Sequence, residues 1–454
     1  MDKKKLTLFD LTSIGVGMVI GAGIFSMLGV GIYFTGKSIS IALILAMLVV
    51  FLQYINVIYM AGMFGDIPGG SYSQSAVVNP SWMVGTGSGT MLISQLSHSV
   101  MGLSIASYLA LLFPALANYQ KLVAIAVITL AFLVAVKGSK FAAMVQNAMV
   151  ILMYLALGTF IVFGITKRAP AEVAAEPFFI NGTSGFLSAA AMMTFTSSGA
   201  AGLASMSDAA DQPKKNIPLA IILTTVICAV LYALLGFAAT KSVSYGAIAG
   251  QNLGAIAEFI LPKSLYTFFV VGGALFALST TLLGGISTMI FPLAQASKDG
   301  FLPKALSRTD KNGNAYILLI VMYTIGIVPI IFDFSLSDIV SMVLVPSAII
   351  SIINAFVTWR LPEKFEKQWK EGLFKNMSGN AYRITRVISI IAAIFVTIYT
   401  LNSVSKTVQI GNIVLTALLF GWSATMGKKP EVKANIEARK QMFAAGAEKA
   451  AEKV

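Results

Sequence analysis

The chain has 454 residues, of which 57% are apolar and only 11% charged. Soluble domains carry about 25% charged residues, so this composition excludes a soluble globular protein and points to a polytopic membrane protein. The formal net charge of +13 gives a nucleic-acid partner no support, because the basic residues are distributed as a membrane topology signal rather than as a patch.

Twelve apolar spans are expected in chain order, at about 8–33, 39–64, 83–113, 120–136, 143–166, 186–206, 219–240, 265–291, 315–332, 338–359, 382–402 and 407–426. Each is near the ~20 residues that cross a bilayer. The opening "MDKKKLTLFD" runs into a full-length span without a short apolar core or an A-x-A site, so no cleavable signal is expected. With the N-terminus inside, Lys3–Lys5, Lys137, Lys140, Lys214, Lys215, Lys298, Lys304, Arg308, Lys311, the basic residues of 360–386 and those of the tail all fall on one side. Lys37, Lys121, Lys167, Arg168, Lys241, Lys263 and Lys406 fall on the other. This asymmetry predicts cytoplasmic termini in a plasma (inner) membrane of prokaryotic type.

The first span is interrupted at Gly21-Ala22-Gly23, in "VGMVIGAGIFSMLG". The sixth is interrupted at "SSGAAG", residues 197–202, at a similar depth and five spans later. Matching breaks in corresponding spans point to an inverted-repeat transporter with its site at the breaks. The expected fold is therefore all-α, with twelve transmembrane helices in a five-plus-five inverted repeat, helices 1 and 6 broken, and two further C-terminal helices. Its parts are a single transmembrane domain 1–426 (repeat one about 8–166, repeat two about 186–359, the last two helices about 382–426) and a basic cytoplasmic tail 427–454.

Unwinding a helix at membrane depth frees N–H and C=O groups that lipid cannot satisfy, so they must line a cavity or meet a ligand. The start of a resumed half-helix suits a carboxylate, and the end of the first half suits an ammonium group or a cation. Packing is the competing use of these glycines, since Gly17-x-x-x-Gly21 is also a helix-contact spacing. A dinucleotide fingerprint at Gly15, Gly17 and Gly21 is excluded, because no strand precedes it and no acidic residue follows at the required distance.

"IGVGMVIGAGIF" resembles the first-helix motif of the amino acid–polyamine–organocation (APC) superfamily, and "IPGGSY", residues 67–72, resembles its loop after the second helix. "FTSSGAAGLASMSDAADQPKKNIP", residues 195–218, is similar to its sixth-helix motif, with Gly199 at the break, then Asp208, Pro213 and Pro218. "ASKDGFLPKALS", residues 296–307, resembles the loop after its eighth helix. The resemblance implies transport of amino acids or amines. It implies that the substrate carboxylate meets N–H groups of Ala22, Gly23 and Ile24 beside Gly21. The amine would meet carbonyls of Val19, Ile20 and the turn Phe195, Thr196, Ser197, Ser198, with Gly199 and Ala200 completing the second break. Phe195 sits where the family often has an aromatic gate; an ordinary core phenylalanine is the other reading. Ala200 and Ala201 stand where bulkier or acidic residues occur in the family. Met153 stands where proton-coupled members often carry a lysine, about seven residues after a pair such as Gln146-Asn147.

His98, the single histidine, lies in the third span, where an ionisable residue is a candidate for a coupled proton. A neutral interhelical contact is the alternative. Ser279, Thr280 and Thr281 lie in the eighth span, where related sodium-coupled folds place hydroxyls; Ser and Thr also commonly bond their own helix. No organic cofactor, metal cluster or catalytic constellation is expected, so the chain is read as a transporter and not an enzyme; Na+ or H+ is the coupling ion considered, and oligomeric state stays open. Asp66, Asp208, Glu258, Asp333 and Asp338 fall in loops or at span ends, leaving membrane depth without charge. A cationic side chain would lose hydration there without a counter-charge, so a neutral, bulky L-amino acid is the expected substrate. Amino acid/amine exchange and a transport-dead nutrient sensor are the alternatives; a channel is disfavoured because no polar ring is visible.

Overall fold

The computed structural model describes residues 5–67, 70–136, 139–309 and 315–451. Lys3, Lys4, Pro68, Gly69, Lys137, Lys311 and Lys453 lie outside the described residues, as do the side chains of Ala22, Lys140, Gln146, Asn147, Asp208 and Lys449.

The first apolar segment folds as two helices, α1 (Leu8–Val19) and α2 (Ala22–Thr35). Thr7 and Asp10 open α1 as a capping box, with Thr7 N–H donating to Asp10 Oδ2 at 2.9 Å; such a cap contributes about 1 kcal/mol. Gly36, at φ +68°, turns the chain out of α2, and α3 (Ile39–Phe64) runs back. The short α4 (Gly70–Val78) follows. Then come α5 (Ser81–Ile93) and α6 (Ser97–Leu112), joined by a single 3₁₀ turn, α7 (Gln120–Val136) and α8 (Ser139–Thr166).

After the short α9 (Ala171–Ala175), the second broken segment comprises α10 (Gly182–Ser197) and a 3₁₀ stretch, Ala200–Ala209. Pro213 starts α11 (Pro213–Ser242) at a position where its missing N–H costs nothing. The short α12 (Tyr245–Ile248) and α13 (Leu253–Ile260) lead into α14 (Lys263–Phe268), which passes through a π-helical stretch into α15 (Phe276–Lys298). The chain ends with α16 (Tyr316–Ile331), α17 (Leu336–Val357), the short α18 (Leu361–Lys364) and α19 (Glu366–Glu371), α20 (Gly379–Asn402), α21 (Lys406–Lys428) and α22 (Pro430–Ala451).

Among the described residues, eight helical runs are long and apolar enough to cross a membrane, and three shorter apolar helices accompany them: Leu8–Val19, Ile151–Thr166 and Tyr316–Ile331. No extended strand occurs among the described residues; one isolated bridge pairs Leu6 with Ala210. The outer surface carries large apolar side chains such as Phe291, Leu418 and Leu122, 80%, 67% and 66% exposed. Water would disfavour that surface and lipid accepts it, as expected of an integral membrane protein.

The centre is built around the two broken segments. The helix α1 packs on α11, α2 on α10, and both α10 and α11 on α3. On the face that holds the N-terminus, Leu6 N–H donates to Ala209 O at 2.8 Å, and Asp211 N–H donates to Leu6 O at 2.9 Å. On the opposite face, Gly250 N–H donates to Gly29 O at 2.7 Å, and Ser38 N–H to Phe178 O at 3.0 Å.

Arg386, near the start of the expected span 382–402, lies eight residues into α20 and is fully buried. Burial there is possible because the guanidinium donates from Nη1 to Asn56 Oδ1 at 2.9 Å and lies 5.5 Å from the ring centres of both Tyr59 and Tyr382.

Candidate functional site: two facing helix breaks

The last turn of α1 leaves carbonyls without intrahelical partners, and the first turn of α2 leaves N–H groups of the same kind. Gly21 is the N-cap of α2 and provides no side-chain cap, so the N–H groups of Ala22, Gly23 and Ile24 form an uncapped, positive helix start. The break itself falls at Ile20–Gly21, just ahead of the expected Gly21–Gly23.

The second break falls at Ser198–Gly199, where Gly199 adopts φ +135°. This is a backbone conformation that L side chains rarely adopt. The two breaks touch through backbone. A Cβ on Gly23 would lie 2.5 Å from Thr196 Cα, and a Cβ on Gly199 would lie 2.8 Å from Met18 O. Each broken helix thus places a glycine against the other's main chain. Close packing of these glycines brings the free backbone groups of both breaks together.

Three hydroxyls of the second break are turned back on their own helix. Thr196 Oγ1 and Ser197 Oγ donate to Met193 O at 2.8 and 3.0 Å, and Ser198 Oγ donates to Phe195 O at 2.7 Å. These are the local bonds that serine and threonine make to carbonyls of their own helix. Phe195 is 8% exposed, and Val19, Ile20, Ile24 and Ala200 are likewise buried, as is Ser197. Ala200 therefore packs inside the fold; the partly exposed members of this turn are Ser198, Gly199, Ala201 and Gly202.

Two tyrosines complete the arrangement, and sequence reasoning passed over both. Tyr232 of α11 donates its hydroxyl to Val19 O at 2.8 Å and Thr196 O at 3.1 Å. Tyr54 of α3 accepts from Gly199 N–H at 2.9 Å. A signal was present: a tyrosine inside an apolar span must find a partner for its hydroxyl. Two of the carbonyls expected to receive a substrate amine are thus already shared with Tyr232. Tyr232→Phe leaves both unsatisfied at a cost of about 1–3 kcal/mol. The expected result is a substrate KM raised about tenfold with folded protein retained, measured by initial-rate uptake and size-exclusion chromatography.

In α15 the residue that meets the first break is Thr281, whose Oγ1 lies 1.9 Å from where a Gly21 Cβ would be. Both Thr280 and Thr281 donate to Ala277 O, at 3.0 and 2.8 Å, so each hydroxyl proton is committed while oxygen lone pairs remain. Ser279 is half-buried one residue earlier. His98 is buried on α6, edge-on to Phe132 of α7 with ring centres 5.5 Å apart. A Cβ on Gly326 of α16 would come within 3.0 Å of His98 Cβ. It therefore faces α7 and α16, and its Nε2 lies 3.7 Å from where a Cβ on Gly285 of α15 would be. Met153 is buried within the apolar core.

An apolar helical body with two interrupted helices meeting backbone-to-backbone is that of an integral membrane protein. The profile of the amino acid permease family matches residues 6–424, and the chain belongs to this family, within the amino acid–polyamine–organocation superfamily. The chain is similar to the branched-chain amino acid permease BcaP of Bacillus subtilis, at 25% identity over 69% of this chain and 72% of that protein. It is similar to BcaP of Lactococcus lactis subsp. cremoris, at 27% identity over 71% and 75%. The cationic amino acid transporter 9 of Arabidopsis thaliana is 25% identical over 67% of this chain and 57% of that protein.

Proposed function

We propose that this amino acid permease is a secondary transporter that carries a neutral, bulky L-amino acid by alternating access. In this reading twelve spans form a five-plus-five inverted repeat plus two helices, with both termini on the cytoplasmic side of the plasma membrane. The charge asymmetry of the loops supports the orientation. The facing breaks support the repeat, since each places an interrupted helix at the same depth of its half.

The observation that carries the substrate class is the chemistry of the site. The residues at the two breaks, with Tyr54, Tyr232 and Thr281 around them, carry no charge. The α2 start offers N–H groups for a carboxylate, and the carbonyls of the α1 and α10 ends face an amine. A lysine or arginine side chain would be desolvated there without a counter-charge, at a cost of several kcal/mol. An apolar side chain gains roughly 25 cal/mol per Å² buried. The relatives named for branched-chain amino acids support an apolar side chain; the plant relative is named for cationic ones, so similarity alone does not choose.

Met153 cannot carry a proton, which argues for exchange or sodium coupling rather than a fifth-helix amine. Thr281, packed on the first break, supplies lone pairs that would suit a hard cation. The test is counterflow in proteoliposomes with labelled leucine, ion gradients imposed one at a time, and unlabelled competitors. Leucine, isoleucine, phenylalanine or tyrosine should compete and arginine, lysine and putrescine should not. The reverse pattern overturns the substrate class, and accumulation driven by a proton gradient alone overturns the coupling.

A further inference from the structure

The polar C-terminal segment folds into α22 and returns to the body of the protein. Val432, Asn435, Ile436 and Arg439 follow one another at i, i+3, i+4 and i+7, so they share one face of the helix. Val432 and Ile436 are buried, while Glu431, Lys433, Ala434, Glu437 and Ala438 are exposed. Further along, Phe443 sits edge-on to Phe64 at the end of α3, ring centres 5.5 Å apart.

The polar centre of this stripe is Asp299, in the turn after α15 and only 5% exposed. Arg439 grips it bidentately, Nε to Oδ2 at 2.7 Å and Nη2 to Oδ1 at 3.0 Å. Asn435 Nδ2 donates to Asp299 O at 3.2 Å, and Lys304 pairs with Glu431 beside it. Asp299 also accepts from Gln295 Nε2 at 3.1 Å and from the Tyr72 hydroxyl at 2.8 Å. Burial, and next the Asp299 carboxylate, push the Tyr72 hydroxyl far above its ordinary pKa, so it keeps the proton that it donates.

Tyr72 belongs to α4, and α4 lies directly on the segment that leaves the second break. Ser71 Oγ is 3.1 Å from Ser205 Oγ, and Gln74 Nε2 donates to Ser207 Oγ at 3.3 Å. Gly70, at φ +61°, comes so close that a Cβ there would lie 2.7 Å from Ser205 Cα. A continuous chain of contacts therefore runs from Arg439 through Asp299 and Tyr72 to the 3₁₀ stretch Ala200–Ala209 that follows Gly199.

We propose that α22 is a latch on the face that holds the N-terminus: docked by Arg439 on Asp299, it holds α4 against Ala200–Ala209, and its release is coupled to opening of the central site towards that face. This rests on the alternating-access reading. Among the described residues the attachment is a narrow stripe centred on the Arg439–Asp299 pair, whose arginine side chain is 25% exposed, with the Lys304–Glu431 pair beside it. Without Arg439 a nearly buried carboxylate keeps only neutral donors, which favours the arrangement in which Asp299 reaches water.

The full-length chain in proteoliposomes tests this, with Cys228→Ser removing the native thiol and Ala204→Cys placing a reporter at a fully buried position of the 3₁₀ stretch. A membrane-impermeant thiol reagent is applied from the side of the N-terminus, without substrate. Arg439→Ala should raise the labelling rate at least about fivefold, beyond what any fall in melting temperature accounts for, Arg439→Lys should fall between, and Phe443→Ala should act in the same direction. If Arg439→Ala does not fold, Phe443→Ala carries the test. Labelling rates equal to the parent's overturn the latch, and so does a rise matched by loss of global stability, which is what a passive strut would give. A failed latch leaves uptake by the parent intact, whereas a failed transporter reading appears as absence of uptake of any amino acid.

Discussion

Gly199→Ala is expected to abolish substrate binding and to lower stability by about 3 kcal/mol. Two costs combine at this position. Alanine is strained at φ +135°, and its Cβ would sit 2.8 Å from the carbonyl oxygen of Met18. A main-chain carbonyl cannot rotate aside as a flexible side chain can, so the two broken helices must separate. That movement also pulls Gly199 N–H from the Tyr54 hydroxyl.

Gly23→Ala should behave similarly for a single reason, the 2.5 Å approach of its Cβ to Thr196 Cα. A side chain at position 23 thus displaces the other broken helix before it reaches a carboxylate site, and loss of binding in a larger variant would come with loss of packing. Gly158→Ala is the control: nothing lies within 4 Å of its added Cβ, and alanine in a helix is favoured by up to about 1 kcal/mol. Thermal unfolding in detergent and binding of labelled leucine, compared across the three variants, check the expectation. Wild-type stability and affinity in Gly199→Ala would show that the breaks do not meet as described.

Asn56→Leu is expected to destabilise the protein by about 3 kcal/mol, whereas Arg386→Met should be close to neutral. The asymmetry follows from burial. Arg386 is fully buried, and Asn56 Oδ1 accepts from its Nη1 as well as from Thr358 Oγ1, the latter at 3.1 Å. Its Nε and Nη2 reach no acceptor among the described residues. Removing Asn56 leaves a desolvated charge with only the ring faces of Tyr59 and Tyr382. Removing the charge itself replaces it with an apolar chain of comparable volume in a cluster that already contains Tyr59, Trp369 and Tyr382. Chemical or thermal unfolding of the two single variants measures both effects, and an equal large loss in each would mean that the ion is itself required for packing.

The sequence by itself determined the membrane class, the order and approximate ends of the helices, and the two interruptions. Those features are local: apolar run length sets where a helix is stable in lipid, and glycine at 21, 23 and 199 marks where a helix gives way. The family motifs lay in the same local stretches. What the glycines touch was decided only by tertiary structure. Gly23 and Thr196 are far apart in sequence, as are Tyr232 and Val19, and their meeting depends on the rotation and register of four packed helices, which hydropathy does not encode. The same holds for Thr281 as the residue of α15 that reaches Gly21. It holds for the burial of Arg386, which needs Asn56 from another helix. It holds for α22, whose polar composition fits a solvated tail until Asp299 supplies the partner that makes one of its faces an interface.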